Sequence, residues 1–211
     1  MGIPIQVNLT TLLKVIEVFG IVSFACSGFI EARRRDMDMV GVFTIGFVTA
    51  FGGGTLRDLL LDQRPLFWVE RQEYLPLIFV LALVTTPFMR HLSSGRAVKV
   101  ILVADALGLG LFSVLGTSIA ENARMPLFVC VMMGVITGIF GGVLRDVLCM
   151  EIPLVLRRGG KLYATCAFFG CWVSLLLAKA DAPEGITLGA GIAVTCVMRL
   201  LALRYDLKLP V

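Results

Sequence analysis

Residues 20 to 66 of this chain recur 88 positions later, in one register and without a gap. Gly20 falls on Gly108, Phe24 on Phe112, Gly28 on Gly116 and Ala32 on Ala120. Further along, Gly46 falls on Gly134, Thr49 on Thr137, Gly53-Gly54 on Gly141-Gly142, Leu56-Arg57-Asp58 on Leu144-Arg145-Asp146, and Pro65-Leu66 on Pro153-Leu154. Two apolar segments share leucines by chance, but not a common register of glycines, an Arg-Asp pair and a proline. The chain is read as a tandem duplication.

The duplicated unit is apolar. A mean hydropathy of +0.92 with 16% charged residues leaves more apolar surface than a water-soluble core of 211 residues can bury. Seven apolar stretches, near 9–30, 38–60, 74–90, 98–119, 126–149, 161–179 and 185–204, have the length needed to cross about 30 Å of hydrocarbon at about 1.5 Å per helical residue. The sequence therefore predicts an all-α integral membrane protein, a single domain over 1–211. Repeat one covers about 9–90, repeat two about 98–179, and a seventh transmembrane helix about 185–204. Three spans per repeat is an odd number, so the second copy enters the bilayer upside down. The plan is an inverted 3+3 repeat plus one C-terminal helix. Lacking a basic n-region and an A-x-A site, the N-terminus reads as the retained first span.

Charge sets orientation. With the N-terminus outside, the outer side holds Lys14, Arg57, Arg64, Arg71, Arg124 and Lys179, and the other thirteen of the 19 Lys and Arg lie inside, which puts the C-terminus in the cytoplasm. Such scatter suits the lipid bilayer as partner and not a nucleic acid. The six cysteines lack CxxC spacing and read as small packing residues, and His91 beside Arg90 reads as interfacial. Met132, Met133, Phe168 and Phe169 read as lipid-facing or packing residues. No G-x-S-x-G, H-E-x-x-H or G-x-x-x-x-G-K-[ST] motif is present, so the chain is not read as an enzyme. No cofactor is expected, and no metal beyond a permeating potassium or sodium ion.

Glycine concentrates in the second and fifth spans, at Gly52, Gly53 and Gly54 and at Gly141 and Gly142. Adjacent glycines weaken a helix by about 1 kcal/mol each and expose its backbone, which points to a kink or break facing a pathway. A break would offer carbonyls to a cation, or carbonyls and amides together to a small zwitterion. The same spans carry Gly46, Ala50 and Gly54, and Gly134, Gly138 and Gly142, each spaced by four. That pattern also serves close helix packing, and packing and a kink can coexist.

Arg57-Asp58 and Arg145-Asp146 fall near opposite membrane faces and read either as mouth or gate charges or as structural ion pairs. Glu17 and Asp105 match each other at the same offset, inside the first span of each repeat. An acid there costs about 2.5–3.5 kcal/mol on insertion scales, so both are expected to face the pathway or to balance Arg57 and Arg145.

Two G-G-x-L-R-D motifs in a seven-span chain resemble the bacterial branch of the trimeric intracellular cation (TRIC) channel family, also grouped as a bacterial glycine transporter family. The resemblance covers roughly residues 9–204. It implies a homotrimer with a potassium-permeable pore in each protomer, shaped by glycine kinks in spans two and five, here at Gly52, Gly53, Gly54, Gly141 and Gly142. The alternative is a secondary transporter of glycine or another small zwitterionic amino acid, the only reading that brings in a small-molecule substrate. Phe140-Gly141-Gly142 has one glycine fewer than the first motif, and the tail Tyr205–Val211 lacks the basic extension of animal relatives. A bacterial inner membrane is the expected location.

Overall fold

A computed structural model describes residues 9–89, 94–157 and 162–207. His91 and Arg90 lie outside the described residues. Eight helices appear among those described: α1 Leu9–Arg34, α2 Met39–Leu60, the single-turn α3 Phe67–Glu70, α4 Tyr74–Met89, α5 Ser94–Asn122, α6 Leu127–Leu148, α7 Tyr163–Lys179 and α8 Glu184–Arg204. The seven long ones coincide with the seven apolar stretches. They overrun several of these, as α5 does at both ends, because apolarity marks the part in lipid while the helix continues to its polar caps. By length and apolarity five can cross a membrane, within α1, α2, α5, α6 and α8, while α4 and α7 are shorter apolar helices.

Polarity is distributed inside out relative to a soluble protein. Phe19, Val40, Val84, Phe128, Leu176 and Val197 are exposed, while Glu17, Arg57, Asp58, Asp105, Arg145, Asp146 and Arg199 are buried. An apolar coat over an ionic interior is stable only where the surroundings are themselves apolar. The protein is an all-helical membrane protein. Met132 and Phe169 belong to the exposed coat, whereas Met133 is buried.

The 88-residue offset persists in the backbone. Asp36 and Arg124, at φ 54° and 57°, take the left-handed conformation after α1 and α5, and Asp62 and Met150, at 51° and 56°, do so after α2 and α6. After α2, the Gln63 N–H donates to Asp58 O at 2.8 Å, and after α6 the Glu151 N–H donates to Asp146 O at 2.8 Å. Both are helix-end turns that satisfy otherwise orphaned carbonyls. The starts differ: Asp38 caps α2 by accepting from the Gly41 N–H at 2.8 Å, whereas Pro126 opens α6 without a side-chain cap.

Within the repeats α1 packs on α2 and α5 on α6, and between them α1 packs on α5 and α2 on α6. At the α1–α5 contact Phe24 and Phe112 stack, centroids 5.4 Å apart and planes 4° from parallel. Each ring occupies the space a Cβ would take on the other helix, Phe112 at Gly20 and Phe24 at Gly108. The helix α8 covers α5 and α7.

Candidate functional site

The α2–α6 contact lies where the two repeats meet. Here a Cβ on Gly53 would collide with the Thr137 carbonyl oxygen, and a Cβ on Gly141 with that of Thr49. These are the same contact seen from each repeat, and it brings two backbones together. Thr49 Oγ1 and Thr137 Oγ1, both fully buried, donate back to Ile45 O and Met133 O at 2.6 Å. Gly52 abuts Leu144 and Gly54 the Phe67 ring, whereas at Gly142 a Cβ would sit closely but without collision, 3.3 Å from both Asp105 Oδ1 and Tyr163 Oη.

Helical backbone runs unbroken through both glycine clusters. The expected break, with free carbonyls and amides, is therefore not the arrangement found. The missing side chains are filled by a neighbouring helix, which stabilises a continuous helix by close contact. The spaced small residues pack within each repeat. Gly46 lies under the Phe29 ring, Ala50 is buried, Gly134 meets Thr117 Oγ1 and Ser113 O, and Gly138 meets Ser113 Oγ and Leu109 O.

Near the C-terminal end of each of these helices sits an Arg-Asp pair. Arg57 donates from Nε and Nη2 to Asp58 Oδ1 at 2.8 and 2.6 Å, and Asp58 Oδ2 accepts the Phe67 N–H at 2.8 Å. Arg145 reaches Asp146 Oδ1 from Nε and Nη2 at 2.9 and 2.8 Å, and Asp146 Oδ2 accepts the Leu154 N–H at 2.8 Å. Each aspartate thus ties the segment around the following Pro-Leu pair to its helix, through the amide after the pair in repeat one and through the leucine amide in repeat two. Neither pair is an open mouth charge: Arg57 is 2% exposed and Arg145 1%.

Beyond the pairs the two repeats diverge. Arg145 Nη1 also donates to Asp105 Oδ1 at 3.0 Å and to Ser27 Oγ across the repeat boundary. Glu17, the counterpart of Asp105, accepts instead from Tyr74 Oη at 2.8 Å and pairs with Arg71, because the α3–α4 turn carries those two groups to it. Ser27 has Leu115 as its counterpart. Arg57 Nη1 is buried without a hydrogen-bond partner among the described residues, its guanidinium 5.4 Å from the Phe67 ring centroid.

Several of these groups escape a reading of the sequence. Arg199 lies 4.6 Å over the ring of Tyr163 and is 2% exposed; an arginine within an apolar span is the signal that marks it. Ser27, Arg71 and Tyr74 give no such signal. A recess of about 170 Å³ at the α6 C-terminal end is lined by Glu31, Arg34, Arg145, Asp146, Glu151 and Arg157 among others. Over it the Arg35–Glu151 ion pair joins the end of α1 to the α6–α7 connection.

The sequence model of a family described as glycine transporter matches residues 14–90 and again residues 102–179, starts that differ by the same 88 positions. The chain belongs to this family. Its members include bacterial TRIC proteins, and the chain falls in that branch. It is 36% identical to the TRIC trimeric intracellular cation channel orthologue from Rhodobacter sphaeroides, with a TM-score of 0.88 over 93% of this chain and 100% of that one. A prokaryotic TRIC channel solved in 0.5 M KCl gives the same TM-score at 28% identity, over 95% and 100% of the chains. Among curated family relatives, the UPF0126 inner membrane protein YadS of Escherichia coli K12 is 40% identical over 92% of this chain and 93% of its own. A UPF0126 membrane protein of Vibrio cholerae is 39% identical over 95% and 83%.

Proposed function

We propose that this protein is a passive channel for monovalent cations, chiefly potassium, with the path running between the two repeats and narrowing at the α2–α6 crossing. The carrying observation is the reciprocal contact of Gly53 with Thr137 and of Gly141 with Thr49, flanked on either side by a buried Arg-Asp pair. At this seam backbone carbonyl and threonine hydroxyl oxygens of both repeats come together, the kind of oxygen lining that can replace an ion's water. Solved relatives of like fold are cation channels.

The accompanying arrangement is seven spans, the second three inverted, with the N-terminus outside in a bacterial inner membrane and three copies assembled as in the trimeric relative. Reciprocal contacts and the odd span number support the inversion. Opening separates α2 from α6 by bending at Gly52, Gly53, Gly54, Gly141 and Gly142. The acids Glu17, Asp58, Asp105 and Asp146 favour cations, and Arg57 and Arg145 hold those nearest the seam in place. Gly46, Ala50, Gly134 and Gly138 keep each pathway helix seated within its own repeat.

Glycine transport relied on half-helix amides at a break, and the continuity of α2 and α6 removes that support. The deciding experiment is flux from liposomes holding the purified protein. Potassium should move down its gradient without glycine, and labelled glycine should show no counterflow. Glycine counterflow without potassium conductance would reverse the assignment.

A further inference from the structure

Glu17 and Asp105, the matching acids of the two repeats, each have a tyrosine nearby, and only one of these tyrosines is bonded to its acid. Tyr74 opens α4 and Tyr163 opens α7, the third long helix of each repeat. In repeat one Tyr74 Oη donates to Glu17 Oε2 at 2.8 Å. In repeat two Tyr163 Oη and Asp105 Oδ1 both lie 3.3 Å from where a Cβ on Gly142 would be, yet no hydrogen bond joins the two side chains.

Both groups are left short. Asp105 is fully buried and its Oδ2 has no hydrogen-bond partner among the described residues; Tyr163 is 5% exposed and its Oη has none either. Buried polar atoms are normally satisfied, and leaving one bare is costly. Here an orphaned acceptor and an orphaned donor are neighbours. The void lined by Gly142, Arg145 and Tyr163 is too tight to admit a water molecule that would satisfy the hydroxyl from that side. Asp105 is held instead by Arg145, whose Nη1 donates to its Oδ1 at 3.0 Å.

Arg145 is the member that moves when α6 bends. It lies three residues beyond Gly142, and its Nη1 bonds cross to Asp105 on α5 and to Ser27 on α1. Swinging the end of α6 breaks those bonds and strips a fully buried carboxylate of its counter-charge, which is strongly unfavourable unless another donor takes over. Tyr163 belongs to α7, and Arg199 of α8 lies over its ring at 4.6 Å. A donor carried on a separate helix stays beside Asp105 while α6 moves.

We propose that Tyr163 is a positioning residue for opening: as Arg145 withdraws, the Tyr163 hydroxyl donates to Asp105 and holds the acid in place, as Tyr74 holds Glu17 in repeat one. Asp105 thus exchanges partners. That the exchange serves conduction rests on the channel reading above; the latent bond itself does not.

Two measurements test it on the full-length protein. Infrared spectra with isotope-labelled tyrosine, with Tyr163→Phe as the blank that assigns the Tyr163 C–O stretch, report whether its hydroxyl donates. The band should be that of a non-donating hydroxyl in the wild type and should shift to the donating position in Arg145→Met. In potassium recordings Tyr163→Phe should shorten openings about tenfold, the worth of a hydrogen bond to a charged group, with the unfolding temperature unchanged. A purely structural role would do the reverse, lowering the unfolding temperature and sparing the open lifetime. A donating band in the wild type overturns the proposal, as does an unshifted band in folded Arg145→Met or an unchanged open lifetime in Tyr163→Phe. A silent wild-type protein sinks the channel reading instead, and the infrared comparison then decides the exchange by itself. If Arg145→Met does not fold, the open lifetimes decide.

Discussion

Arg145 and Asp105, forty residues apart in the chain, are joined by a 3.0 Å hydrogen bond inside the helical bundle, and the counterpart pair of the first repeat, Arg57 and Glu17, is not. The duplication thus supplies one skeleton with two ionic states. In repeat two the arginine has both Asp105 and Asp146, and in repeat one Asp58 is its only acidic partner among the described residues.

That difference predicts an order of stabilities. Asp58→Asn leaves a buried guanidinium without a counter-charge, a loss of about 3–5 kcal/mol. Asp105→Asn leaves Arg145 still paired with Asp146 and should cost clearly less. Thermal unfolding of the two variants in the same detergent checks the order, and equal losses would contradict it.

Leu115 is the counterpart, at the 88-residue offset, of Ser27, the hydroxyl that Arg145 reaches. Leu115→Ser should give Arg57 Nη1 an acceptor and so be more stable than Leu115→Ala by about 1 kcal/mol, a typical hydrogen-bond gain. If serine is no better than alanine, the correspondence between the repeats does not extend to this pair.

Glycines should divide by what faces them. At Gly53 and Gly141 an added methyl meets a backbone carbonyl, so Gly→Ala should destabilise by about 1–3 kcal/mol, as overpacking does. At Gly189 in α8 nothing lies within 4 Å, and Gly189→Ala should be neutral or stabilise by up to about 1 kcal/mol. Unfolding temperatures of the three single variants test this.

The proposed assembly into three copies is open to direct measurement. Native mass measurement of the protein in mild detergent should give three copies, and a monomer at all concentrations would remove trimerisation from the account.

Most of the fold could be read in advance, since apolar length and a duplicated register are local and additive. The seven long helices and the reciprocal contacts at Gly20 and Gly108 and at Gly53 and Gly141 follow from it. What the glycines do could not be read, because a missing side chain weakens a helix alone and strengthens one that has a close neighbour. The partner of Glu17 was equally hidden: Arg71 and Tyr74 reach it only through the α3–α4 turn. Of the candidate site, the Arg-Asp pairs were legible as pairs, but their hold on the Pro-Leu segments depends on backbone amides that no motif displays.

Single-channel recording in a potassium chloride gradient tests the central claim most directly, on the wild-type protein beside Gly53→Ala and Gly141→Ala. The account predicts discrete openings that reverse near the potassium equilibrium potential. It also predicts an altered conductance or open probability in whichever glycine variants remain folded. A silent wild-type protein, or folded glycine variants with unchanged currents, would contradict a cation path through the α2–α6 crossing.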